Sequence, residues 1–147
     1  MIDVASLLTV ASLESLNTDA ANLLRAAERL LPDARDADLR RWFVPGRIEV
    51  FGKHTDYAGG RSLLTTTSAG IAVVSRARGD RLVHVADASR GLAIELPLSP
   101  ETESPTGWGN YVATVARRVA RNFPDASRGS DVVIASNLPR AAGMARK

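Results

Sequence analysis

Between Val44 and Arg61 the chain reads Val-Pro-Gly-Arg-Ile-Glu-Val-Phe-Gly-Lys-His-Thr-Asp-Tyr-Ala-Gly-Gly-Arg. Arg47 leaves a Pro-Gly pair, and the apolar run Ile48 to Phe51 leads to an ammonium, an imidazole and a carboxylate at Lys53, His54 and Asp56. This is the pattern of a strand delivering polar side chains onto a turn where glycines let backbone approach a ligand closely. His54 and Asp56 flank Thr55, and alternate residues of an extended segment point the same way, so both can address one ligand. A turn aspartate bonded to its own backbone beside a half-exposed histidine would give the same sequence. Phosphoryl transfer needs cations over the phosphoryl oxygens, a carboxylate for the attacking hydroxyl and a cradle of backbone amides. Sugar recognition needs fixed donors and acceptors. The stretch supplies part of both sets.

These side chains need a scaffold. Leu23, Leu24, Ala27, Leu30 and Leu31 recur on one helical face, Asp19 can cap its start, and Pro32 closes the segment. The first dozen residues share the helical composition with a blurred period, as a separate short helix would. Arg40 to Val44 and Arg47 to Phe51 read as short strands separated by the Pro45-Gly46 turn. Leu63 to Ser68 leans to β structure, and Ile71 to Ala77 is a stronger strand. Gly79-Asp80 reads as a hairpin turn before Leu82 to Asp87, and Ser89-Arg-Gly91 breaks the chain before Leu92 to Leu96. A polar loop, Pro97 to Gly107, precedes an amphipathic helix carrying Trp108, Val112, Val115 and Val119, which stops near Asn122 and Pro124. Asp131 to Ser136 is a last strand. The order predicts one α+β domain, an antiparallel or mixed sheet with the helices on one face. His84 lies in a strand with no acid nearby in sequence and reads as structural.

Pro-Gly-Arg, a strand, and then Gly-x-His-Thr-Asp-Tyr-x-Gly-Gly resembles the first signature of galactokinases. These belong to the superfamily named for galactokinase, homoserine kinase, mevalonate kinase and phosphomevalonate kinase (GHMP). The resemblance implies an α+β amino-terminal domain of a kind also found in a ribosomal protein. It also implies ATP and magnesium as cofactors and a sugar's anomeric hydroxyl as phosphoryl acceptor. Arg47 matches the arginine beside the catalytic acid and the transferring phosphoryl group, where a guanidinium stabilises developing charge. Lys53, His54, Thr55, Asp56 and Gly60 fall on the sugar-binding positions. Gly107-Trp-Gly-Asn-Tyr-Val is similar to the segment that begins a helix near the nucleotide, which puts Trp108 there; a large residue in the first turn of an amphipathic helix is also commonly core. Ser136, Leu138, Ala141, Ala142, Gly143 and Met144 match the start of the phosphate-loop signature, where glycines let backbone amides reach phosphates and a serine holds magnesium.

The departures are specific. Glu49 and Ala58 stand where galactokinases usually carry asparagine, and Lys53 stands where they carry glutamate. An ammonium only donates where a carboxylate would accept, so the preferred sugar is expected to differ from galactose, for example by a carboxylate, a phosphate or another hydroxyl pattern. Ala141 replaces the first glycine of the loop, Met144 replaces leucine, and Ala145, Arg146 and Lys147 occupy serine positions. The family's catalytic aspartate has no counterpart here. Residues 1–147 therefore read as a single partial domain, with the signature at 44–61 and an incomplete phosphate loop at 138–147. The ending reads as a truncation, a frame change or a degenerate copy. No metal ligand is expected within it, and no kinase activity of its own, because an unsupported loop does not hold a triphosphate productively. A catalytically dead sugar-binding or regulatory fragment is the second reading.

Composition narrows the rest. At 147 residues the chain suits one domain with a real core. Hydrophobic residues at 45% and charged residues at 24% argue against wholesale disorder. There is no cysteine, hence no disulfide and no thiol nucleophile, and two histidines alone make no zinc site. The net charge of +3 admits a third reading, a basic RNA-binding domain. The arginines are scattered among acids rather than grouped, so no nucleic-acid partner is expected. The amino terminus lacks a basic, cleavable leader, and no apolar run reaches the roughly 20 residues that span a membrane. The expected setting is cytoplasmic and the expected partner a small-molecule sugar.

Overall fold

The computed structural model describes residues 10–52, 55–125 and 128–139, of which 10–17 and Asp56 are described by backbone alone. Helix α1 spans Val10–Glu28 and helix α2 spans Gly109–Asn122. The strands are β1, Leu39–Phe51; β2, Leu63–Ala77; β3, Leu82–Asp87; β4, Leu92–Pro97; and β5, Ser130–Ser136. They form one sheet in the order β1-β2-β5-β3-β4. All neighbours are antiparallel except β3 and β5, which run parallel, so the sheet is mixed.

The central strands are apolar on both faces, as strands covered from two sides must be. Val74, Val133 and Ala135 point to the face carrying α1, where they bury Ala27, Leu31, Leu39 and Ala86 with them. Val83, an odd number of residues from Ala86, points the other way and packs with Leu98 against Ala116, Val119 and Ala120 of α2. The two helices thus lie on opposite faces. The expected single helical layer is corrected by this alternation.

Four further expectations change. Asp19 is inside α1 rather than at its start, because no glycine or proline interrupts the Ala- and Leu-rich run. The helix ends at Glu28, short of Pro32, which disfavours helical geometry in the residue before it. Leu31 is then carried into the core by a turn closed through its N–H and the Glu28 carbonyl, 2.8 Å. Pro45-Gly46 does not divide two strands. It is an irregularity within β1, whose pairing with β2 jumps from Pro45↔Gly70 to Arg47↔Thr66. Finally, Gly79-Asp80 is no hairpin turn, because β5 lies between β2 and β3. Asp80 and Gly129 instead fix the entry to β5: the Asp80 carbonyl accepts the Gly129 N–H at 2.8 Å, and the Gly129 carbonyl accepts Arg78 N–H at the same distance. Period-two patterning identifies strands and not their partners.

Before residue 71, β2 has no pairing with β5, and the distal β1–β2 hairpin projects from the sheet. Ile48, Val50, Phe51, Leu63 and Leu64 on this arm are exposed. Among the described residues no helix is long and apolar enough to cross a membrane.

Candidate functional site

The arm leads into a loop whose closure depends on glycine. Gly52 has φ +91°, and a Cβ there would fall against the Arg61 carbonyl. Its own carbonyl accepts from Thr55 N at 3.0 Å, Thr55 Oγ1 at 2.7 Å and Ser62 Oγ at 3.1 Å. Thr55 opens a short 3-10 turn, Thr55–Ala58, and its carbonyl accepts Gly60 N at 2.8 Å. A Cβ on Gly60 would stand 2.7 Å from Thr55 Cβ and 2.9 Å from its carbonyl oxygen, and Gly59 beside it takes φ +73°, so each position of the pair favours glycine. The Thr55 hydroxyl proton is committed to this ring. Asp56 lies in the same turn, whereas Lys53 and His54 fall outside the described residues.

Arg47 sits on β1 opposite Thr66, immediately past the irregularity, and is exposed. Among the described residues it has no ion-pair partner, in contrast to Arg41, Arg76 and Arg78.

The second stretch arrives at the same end of the sheet. Ser136 ends β5, and Leu138 is buried. The space a Gly46 Cβ would take is filled by Leu138 Cδ2 and Thr67 Oγ1, each 2.6 Å from that position. Asn137 Oδ1 accepts the Gly70 N–H at 2.8 Å, and Ser89 Oγ accepts the Ser136 N–H at 2.7 Å. Ala141, Ala142, Gly143 and Met144 lie outside the described residues.

A groove of about 210 Å³ opens on the α2 face, with Ile71, Asp87, Trp108, Tyr111 and Ser136 in its wall. It unites two separately expected positions, Trp108 and Ser136. Trp108 stands just before α2, and Gly109 lets the helix start press on β4: a Cβ there would stand 2.7 Å from Ile94 Cδ1 and 3.0 Å from Pro105. The nearly buried Asp87 accepts Ser89 N at 2.9 Å and Arg90 N at 3.1 Å through Oδ1, which folds the β3–β4 turn toward the groove. The sequence reading missed Asp87, Ser89 and Asn137. The Asp-x-Ser spacing was a signal for the first two, since aspartate bonds backbone two residues on. A wider groove of about 370 Å³ between α2 and Val83, Val85 and Val132 is almost wholly apolar.

Residues 34–77 match the family model for the galactokinase galactose-binding signature. A galactokinase of Haemophilus influenzae (strain PittGG) is 32% identical over 103 residues, covering 69% of this chain and 27% of that protein. One from Clostridium tetani is 29% identical over 110 residues, covering 74% of this chain and 28% of that protein. Among solved structures, Lactococcus lactis galactokinase complexed with galactose superposes with a TM-score of 0.66 at 26% identity, over 84% of this chain and 32% of that one. The mevalonate kinase of Methanococcus jannaschii gives 0.59 at 14% identity, over 75% and 36%, a likeness of fold. The chain spans 27% of the length of the Haemophilus relative, about a quarter. Signature, relatives and fold agree: the chain is galactokinase-like, of the GHMP kinase type, over one part of its relatives' length.

Proposed function

We propose that this chain supplies the sugar-recognising part, and one wall of the nucleotide site, of an ATP-dependent galactokinase-like sugar kinase. The meeting of the loop after β5 with the signature-bearing strand β1 carries this reading, with Leu138 seated on Gly46 beside Arg47. In the reading, His54 and Asp56 bind sugar hydroxyls on the turn that Gly52, Thr55 and Gly60 hold closed. Arg47, exposed and unpaired with carboxylate among the described residues, offers a guanidinium to the charge that develops on the transferred phosphoryl group. Trp108 and Ser136 wall the groove in which a nucleotide base would lie. Among the described residues no group of three acidic or imidazole side chains would hold magnesium, and none is assigned to it.

The phosphoryl acceptor is the anomeric hydroxyl, and Lys53 directs preference toward a sugar whose groups accept rather than donate. These residues hold no counterpart of the family's catalytic aspartate, so by themselves they bind sugar without phosphorylating it. Ala141 and the missing serines favour the second reading, a sugar-binding polypeptide that transfers nothing. Two measurements test the proposal. Titration of the 147-residue chain with galactose, galacturonate and galactose 6-phosphate should show saturable binding, strongest for an anionic sugar. ADP release with the same panel should be absent for this chain and present for a longer gene product if one exists. No sugar binding at all would refute the proposal, and ADP release by the 147 residues would refute the claim of inactivity.

A further inference from the structure

We infer that Asn137 is a positioning residue that couples the loop after β5 to the Gly46–Arg47 step of β1; its functional meaning rests on the reading just proposed. The last backbone pair between β2 and β5 is Ile71↔Ser136. One residue on, Gly70 is buried, and its N–H faces the place where β5 has already ended. A buried amide proton without an acceptor is costly. The Asn137 side chain replaces the missing carbonyl through Oδ1, at 2.8 Å. Only the amide oxygen can accept there, so the donor fixes the orientation of the side chain.

Gly70 is no arbitrary anchor. Across β2 it pairs with Pro45, the last regular partner before the register jump to Arg47. A Cβ on Gly70 would stand 2.5 Å from Phe43 Cζ and 2.6 Å from the Val44 carbonyl, so β1 is pressed against it. The next residue after Asn137, Leu138, fills the space above Gly46. Adjacent residues of one loop therefore grip both strands at the point where β1 changes register, Asn137 on β2 and Leu138 on β1. On its other flank Ser136 is tied to Ser89, by the 2.7 Å bond from its N–H and a 3.1 Å bond from the Ser89 hydroxyl to its carbonyl. Removing Ser89 would release the loop from β3 and leave the hold on β2 intact.

Two-dimensional NMR of the 147-residue chain separates these roles. In Asn137→Ala, amide exchange at Gly70 should quicken by about tenfold or more. The resonances of Gly46 and Arg47 should shift as well. Asn137→Asp, which keeps the acceptor, should preserve both, and Ser89→Ala should leave Gly46 and Arg47 where they are. Sugar affinity should fall at least about fivefold in Asn137→Ala, as a displaced site would require, and be restored in Asn137→Asp. A response confined to Gly70 and Asn137, with Gly46 and Arg47 unmoved, would overturn the coupling. If the wild-type chain bound no sugar, the functional reading would fail, while the Gly46 and Arg47 resonances would still decide the coupling.

Discussion

The Cδ2 methyl of Leu138 lies 2.6 Å from the point where a Cβ on Gly46 would stand. Residues 92 positions apart in sequence thus share one small volume beside Arg47. Gly46→Ala should cost about 1–3 kcal/mol, the range for overpacking a filled site. Leu138→Ala in the same chain should recover part of that loss, because one of the two obstructing side chains is gone, while Thr67 Oγ1 and the Ala69 carbonyl, 3.1 Å from the Cβ position, remain. A double-mutant cycle by urea denaturation should give a coupling of roughly 1 kcal/mol. Additive losses would mean the two residues do not meet in solution.

At the opposite end of the sheet, Asp131 carries a different dependence. Its carboxylate is nearly buried and accepts Arg76 Nη2 at 2.6 Å and Arg78 Nη1 at 2.7 Å. Burial pushes its pKa up, and the two guanidinium bonds outweigh that and hold it below the ordinary carboxylate value. Asp80, bonded by Arg78, is lowered to about 2. A carboxylate whose folded pKa is depressed contributes stability that is complete above its unfolded value, near 4, and is lost as pH falls through the folded one. Thermal midpoints should therefore drop steeply between about pH 4 and pH 2. Asp131→Asn should lower stability at pH 7 by about 2 kcal/mol, since it takes the carboxylate from Arg76 while Arg78 keeps Asp80, and should flatten the acid slope. An unchanged slope in that variant would assign the acid sensitivity elsewhere.

The strands and α2 were legible because their residues alternate or recur with the right period, and the Pro-Gly-Arg to Gly-Gly stretch was legible because its residue types are uncommon together. Partners were not. Nothing in Ile71 to Ala77 says that β5, more than fifty residues later, pairs with it in preference to β3. The opposite placement of α1 and α2 was written in the apolar residues on both sides of β2, β3 and β5, a pattern that short strands share with buried helical segments. Asn137 escaped notice because its role exists only once Gly70 is beside it. The groove was half legible. Trp108 and Ser136 carried a resemblance, whereas Asp87 enters it through a turn that local spacing alone describes.

Thr55 separates loop integrity from ligand contact. Its hydroxyl donates to the Gly52 carbonyl at 2.7 Å and lies 3.2 Å from the Arg61 carbonyl. Thr55→Ser keeps this donor and should bind sugar as the wild type does. Thr55→Val is isosteric without it and should loosen the turn at a cost of about 1 kcal/mol. Gly60→Ala should be the harsher change, because the Thr55 carbonyl oxygen 2.9 Å from the new Cβ is backbone and does not rotate away. Sugar titrations followed by NMR should rank affinity as wild type, Thr55→Ser, Thr55→Val and Gly60→Ala. A Thr55→Val variant with full affinity would show that the ring is dispensable for binding.

Trp108 offers an optical test of the groove. The chain has two tryptophans, and the other, Trp42, lies half exposed on β1, across the sheet from β3 and β4. In Trp42→Phe all indole fluorescence comes from Trp108, which shares the groove with Tyr111 and Ser136. Stacking of a purine on an aromatic ring is worth about 1–3 kcal/mol. An adenine nucleotide should therefore quench this signal saturably, and Trp108→Ala should weaken its binding by about tenfold or more. Purely structural tryptophan behaves otherwise. It would leave fluorescence unmoved by nucleotide, and Trp108→Ala would lower the thermal midpoint by loosening the start of α2 against Ile94 and Pro105. Quenching without loss of stability assigns Trp108 to the nucleotide, and loss of stability without quenching assigns it to the core.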